Sequence, residues 1–122
     1  MSLIYHIAPR SSVKAAQKVG EYQNESLLRD GFIHFSQHNQ VLGVATAFYK
    51  NQKDLVILVV ETDLLKADLK FEAPVHPGQS TASTTPSAGQ LFPHLYGPLN
   101  FDAVLDIVDF PQKADGSFEL PF

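Results

Sequence analysis

A chain of 122 residues is the size of one domain and too short to divide into two with separate cores, so 1–122 reads as a single unit. With 44% hydrophobic and 18% charged residues it has a globular composition, and its formal net charge of −4 leaves no excess of Lys and Arg to neutralise a run of phosphates, which argues against a nucleic acid partner. Cysteine is absent, which excludes disulfides, thiol nucleophiles and thiolate metal sites.

The start, Met1-Ser2-Leu3-Ile4-Tyr5-His6, has neither the basic nor the apolar region of a signal peptide. No segment approaches the roughly 20 apolar residues of a membrane span. The expected location is the cytoplasm, with no membrane association. Leu3 to Ile7 is brief, rich in β-formers and closed by Pro9, so it is the first predicted strand, with His6 at its end. Ser11 or Ser12 offers a helix N-cap, Val13, Ala16 and Val19 recur at helical spacing, and Gly20 is a fitting stop. Asn24 then caps a second short helix ended by Asp30-Gly31.

The strand Phe32-Ile33-His34-Phe35-Ser36 follows directly. Alternation places Phe32, His34 and Ser36 on one face and Ile33 and Phe35 on the other. Ser36 is also the expected N-cap of the main helix, whose apolar stripe is Val41, Val44, Ala45 and Phe48. The unbroken apolar run Leu55 to Val60 has the pattern of a strand buried on both faces and is the predicted centre of the sheet. A single turn at Thr62 to Lys66 and a strand at Leu69 to Glu72 come next. Residues 73 to 91 are rich in Pro, Gly, Ser and Thr without periodicity, and a loop of this length in a small domain points to function or motion. Closing strands are expected at Ala103 to Phe110 and Ser117 to Leu120, around the turn at Asp115-Gly116.

The chemistry-bearing residues are the histidines: His6, His34, His38, His76 and His94. An imidazole can donate and accept hydrogen bonds, stack on a flat ligand, move protons or bind a metal, and position alone does not choose among these. The only arginines are Arg10 and Arg29, so an anion site would use one of them, a lysine or a helix N-terminus. A facial zinc site made of His6, His34 and His94 is conceivable, but no His-x-His or His-Glu-x-x-His spacing supports it, and no metal is assigned.

Three segments, Ile4-Tyr5-His6, Gly31-Phe32-Ile33-His34-Phe35-Ser36 and Phe92-Pro93-His94-Leu95-Tyr96-Gly97-Pro98-Leu99, together resemble the signatures of one bacterial family, the domain of unknown function numbered nine hundred and fifty-two. The likeness runs through the helix with Val44 and Phe48 to the ending Asp115-Gly116-Ser117-Phe118. It implies an α+β fold in which two small, mostly antiparallel sheets and short helices flank a cleft. That fold is ADP-ribosyltransferase-like, in the branch similar to the tRNA 2′-phosphotransferases.

The resemblance further implies that NAD is the cofactor and that His6 bonds the adenosine ribose. The backbone of Ile7 and Ala8 would face the nicotinamide amide, which His34 and Ser36 would line, and Tyr96 would complete the cleft. The sequence departs from the superfamily in two places. Ile7-Ala8 stands where many members have Gly followed by Ser or Thr, and the third segment carries no glutamate, for which Glu72 is the candidate substitute beside His34 as catalytic residues. The implied activity is NAD-dependent ADP-ribosyl or related transfer. The alternative is a binding module that holds a nucleotide or other small ligand without turning it over. A 2′-phosphotransferase needs several basic groups around a phosphate, and this chain has few.

Overall fold

The computed structural model describes residues 2–50, 52–73 and 91–121. Most of the Pro/Gly/Ser/Thr-rich segment, and with it the expected position of that loop at a cleft mouth, lies outside the described residues, as does His76. The chain is an α+β protein of short antiparallel sheets and few short helices. Among the described residues no helix is long and apolar enough to cross a membrane.

The run of apolar residues at the middle of the sequence forms β4 (Leu55–Glu61), flanked by β1 (Leu3–Pro9) and β8 (Val104–Asp109) in an antiparallel sheet. Strand alternation sends Val56, Leu58 and Val60 into one core with Ile4 and Ala8, and Leu55 and Ile57 into a second with Tyr5 and Ile7. Both faces of β4 are therefore covered, as its composition predicts. A helix packs on each side. Helix α1 (Arg10–Val19) contributes Val13 to the first core, and α3 (Val41–Phe48) contributes Val41 and Ala45 to the second.

A second antiparallel sheet is ordered β3 (Ile33–His34), β6 (Phe92–Tyr96), β5 (Asp68–Glu72). Its two faces have opposite chemistry, because the register pairs Ile33 and Leu69 with Leu95, and His34 and Lys70 with His94. Ile33 and Leu95 are fully buried in the first core. The other face is a row of histidine, aromatic and charged side chains. A two-stranded ribbon, β2 (Glu21–Tyr22) with β7 (Leu99–Asn100), completes the pairing.

The two larger sheets separate just past β3. Phe35 N still bonds Pro93 O of β6 at 3.0 Å, whereas Ser36 exchanges backbone bonds with Tyr5 of β1 at 2.9 and 2.7 Å. The predicted strand from Phe32 to Ser36 is thus paired on one side and then on the other, and only its Ile33–His34 part forms a continuous ladder. Ser36 is spent on this bridge and does not cap the next helix. Capping is done by Gln37 and Gln40, whose side chains and backbones bond reciprocally across a 3₁₀ turn, His38–Gln40, that leads into α3.

Three further expectations need correction. Ser117–Leu120 is not a strand: Phe118 is buried against Phe110 with rings 4.9 Å apart, and the turn closes through Lys113 and Ser117, so side-chain packing holds this tail in place of a ladder. Val19 is 76% exposed because it ends α1 beyond the sheet it would cover. Phe48, the last residue of α3, is 42% exposed.

Helix α2 (Glu25–Asp30) ends at Gly31, whose φ of +87° is a left-handed conformation that a Cβ opposes. A Cβ there would meet no atom within 4 Å, so strain is the whole penalty. Gly31→Ala should lower stability by roughly 1 kcal/mol in urea unfolding; no change would contradict the turn geometry. Gly97 does not have a positive φ; a Cβ there would lie 2.7 Å from the Cβ of Ala67, so close approach of the chain is what requires glycine.

Candidate functional site

A cleft of about 330 Å³ opens where the two sheets part, walled by β1 and β3, by α2, and by the end of α3. Its polar lining includes His6, His34, Ser36, His94 and Arg29. Its apolar lining includes Phe35, Phe48 and Phe92.

His6 is 3% exposed and ties the two sheets together. Its Nδ1 lies 2.6 Å from the carbonyl oxygen of His34, which can only accept, so Nδ1 carries the proton. Nε2 is then the acceptor for the Tyr22 hydroxyl at 3.0 Å. Burial pushes the His6 pKa down to about 4, the carbonyl partner works against that shift, and charge repulsion from His34 adds to it. Near neutral pH His6 is a neutral strut with both nitrogens in use.

His34 is half-buried, and its Nε2 donates to Asp30 at 3.1 Å across the Gly31 turn. Burial lowers its pKa, Asp30 opposes the shift, and the neighbouring His94 and Arg29 reinforce it. On Asp30 burial works upward, and the bonds from His34 and Arg29 outweigh it, so the carboxyl stays below its usual range. Arg29 Nη2 stands 3.2 Å from Asp30, and the residue is part of the cleft lining.

His94 faces His34 from the neighbouring strand, with ring centroids 5.5 Å apart and edge to face. It is 1% exposed and stacks on Phe32 at 4.1 Å. Its Nδ1 donates to Glu72 at 2.9 Å, and the Tyr96 hydroxyl donates to the same Glu72 oxygen. These two bonds hold the Glu72 carboxyl below its usual range, and the Glu72 bond raises the Tyr96 pKa. Each of the paired histidines therefore has a carboxylate behind one nitrogen. Among the described residues no protein group bonds the other nitrogen of either ring, nor the Ser36 hydroxyl.

Of the residues singled out from sequence, His6, His34 and Ser36 meet at the cleft. Ile7, Ala8, Tyr96 and Glu72 are not among its lining residues. Ile7 and Ala8 pack into the two cores on either face of β1. Glu72 stands behind His94, reached from the cleft only through that ring, and the one carboxylate among the described lining residues is Glu25 of α2. Arg10 is away from the site, bridging Asp54 at 2.9 Å and Asp109 at 2.6 Å. With both nitrogens bonded to the protein, His6 also has no lone pair left for the three-histidine metal set considered above.

Sequence reasoning did not place Asp30, Tyr22 or Glu25 in the site, and it brought His94 together with His6 and His34 only as a metal set. The signal for His94 was the same alternation used for His34, since Phe92 and His94 share a face of β6. Tyr22 sits on a two-residue strand that leaves no periodic mark.

A family model described as "Protein of unknown function (DUF952)" matches residues 7–107. The chain belongs to the DUF952 family. Among solved structures it is similar to protein CC0527 from Caulobacter crescentus. The crystal structure of that protein is 36% identical over 98% of this chain and 95% of the other, with a TM-score of 0.81. A crystal structure of a doubly methionine-substituted form gives 35% identity, the same coverage and a TM-score of 0.80. Its solution structure gives 36% identity over 96% and 91% of the two chains, with a TM-score of 0.74. No curated protein matches. The chain thus shares its fold with CC0527, whose name carries no activity to transfer.

Proposed function

We propose that this DUF952 protein has an ADP-ribosyltransferase-like fold and binds NAD, or a closely similar nucleotide, in the cleft between its sheets as an NAD-dependent transferase. The observation that carries this reading is the set of unpartnered polar atoms on His34, His94 and Ser36 at the end of an aromatic-walled cleft. These atoms are not sealed in the core but open to the cleft, where a ligand can exchange for water and take up their hydrogen bonds. Two imidazole acceptors and a hydroxyl suit the amide and hydroxyl donors of a nucleotide, and Arg29 offers a cation for its phosphates. At about 330 Å³ the cleft is at the small end of ligand pockets, which span roughly 300 to 1,000 Å³. It would enclose one half of a dinucleotide and leave the other along the mouth.

One observation favours the second reading, a nucleotide-binding module without turnover. Glu72, the substitute for the missing glutamate, does not line the cleft. Calorimetry with NAD beside an assay for released nicotinamide separates the two readings: binding with release supports the transferase, and binding alone supports the module. Failure of NAD to bind at millimolar concentration would overturn both for this cofactor. In the same titration His34→Ala should weaken binding about tenfold, the equivalent of roughly 1.4 kcal/mol for one lost polar contact, while altering stability by less than about 1 kcal/mol. A large fall in melting temperature would instead make His34 a structural residue.

A further inference from the structure

His94 is tightly constrained, and its place in the cleft gives it more than a polar contact to a ligand. Glu72 fixes its tautomer. A carboxylate cannot donate, so the 2.9 Å bond puts the proton on Nδ1 and leaves the lone pair on Nε2. The ring cannot easily turn away, because it is 1% exposed, stacked on Phe32 with an interplanar angle of 20°, and carried by the middle strand of its sheet. Glu72 is itself held by the Tyr96 hydroxyl, and Lys70 Nζ lies 5.0 Å over the Tyr96 ring. The line Tyr96, Glu72, His94 thus ends in a basic nitrogen that lines the cleft and has no protein partner among the described residues.

We infer that His94 Nε2 is the proton acceptor of this cleft and that Glu72 is its positioning residue. This rests on the ligand-binding reading and extends it to the groups that do the proton chemistry. A ligand hydroxyl placed against Nε2 passes its proton to that nitrogen, and the bonding electron pair stays on the ligand oxygen. Nδ1 keeps its own proton throughout. Glu72 remains a carboxylate and stabilises the imidazolium beside it. The charged groups facing the ring are Glu72 and Lys70 from β5, His34 from β3, and Asp30 and Arg29 beyond His34. The His34 and His94 rings stand 5.5 Å apart, edge to face.

The test is ring ¹⁵N spectroscopy on the full chain labelled at histidine. His94 is expected as the Nδ1–H tautomer with Nε2 unprotonated, Glu72→Gln should give mixed tautomers, and Glu72→Asp should restore the original one. Adding NAD should move the His94 Nε2 resonance. His94→Gln should slow nicotinamide release at saturating NAD by about 100-fold or more, the usual scale of a lost acid–base group. An Nε2–H tautomer in the wild-type protein, or a tautomer indifferent to Glu72→Gln, overturns the proposal whatever NAD does. Wild-type release rates in His94→Gln overturn it as well. If NAD does not bind, the preceding reading fails for this cofactor, and the tautomer measurements in the free protein still decide this one. Glu72 is partly exposed, so its variants remain informative if His94→Gln does not fold.

Discussion

Lowering the pH from 7 to 4 is expected to destabilise the wild-type protein by about 3 kcal/mol more than a His6→Gln variant, because His6 must stay neutral in the fold. Its folded pKa is about 4 against 6.5 for the free side chain. The folded value is the lower one, so the unfolded chain binds the proton more tightly. Stability from this group is complete above pH 6.5 and is lost as the pH falls towards 4, at about 1.4 kcal/mol per unit. His34 contributes in the same direction, and Asp30 and Glu72 do so at lower pH, but these are common to both proteins and cancel in the comparison. At pH 7 the variant itself should be weaker by roughly 1 to 3 kcal/mol, since Gln cannot reproduce both the His34 carbonyl and Tyr22 bonds. Urea unfolding of the two proteins at pH 7 and 4 measures the difference. Parallel losses would show that His6 is not the buried neutral strut between the sheets.

Leu58→Ala should lower stability by roughly 3 to 5 kcal/mol. Leu58 is fully buried in β4 between two flanking strands, with His6 as its register partner on β1, so the surrounding sheet cannot collapse into the space left. Phe48 ends the apolar stripe that the sequence predicts for α3, a position expected in the core. At 42% exposure Phe48 has much of its ring outside any core, and Phe48→Ala should cost less than about 1 kcal/mol. Its ring lines the cleft, so the variant's effect belongs in ligand affinity. Thermal melts and NAD titrations of the two variants should therefore rank them in opposite order, and a collapse in stability for Phe48→Ala would reverse the assignment.

The elements legible in the sequence were those whose stability is local or whose burial is complete. β4 was readable from an unbroken apolar run, α1 and α2 from Gly20 and Gly31, both of which have positive φ, and β5 and β8 from short apolar segments. What escaped was set by partners distant in the chain. β2 and β7 are two residues each and exist only because they meet one another. Ser36 has the chemistry of an N-cap, but a strand at Tyr5 takes its backbone. Residues 117–120 alternate like a strand, yet the stacking of Phe118 on Phe110 decides their path.

The site divides in the same way. That His34 and Ser36 share a face followed from a period of two, and both reach the cleft. That His94 stands opposite His34 required the register of β3 on β6, which no single sequence states. The Asp30 bond required the geometry of the Gly31 turn, and the retreat of Glu72 behind His94 required the position of β5 beside β6. Residue types pointed to a histidine site. Pairing then selected which histidines are struts and which face a ligand.

The most direct test of the cleft as a nucleotide site is an amide and histidine-ring NMR titration of the wild-type protein with NAD. The account predicts saturable shifts concentrated at Arg29, His34, Ser36 and His94, with the His6 ring retaining its bonds to His34 and Tyr22. No shifts at millimolar NAD, or shifts gathered around the Arg10–Asp109 ion pair while His34, Ser36 and His94 stay unchanged, would contradict it.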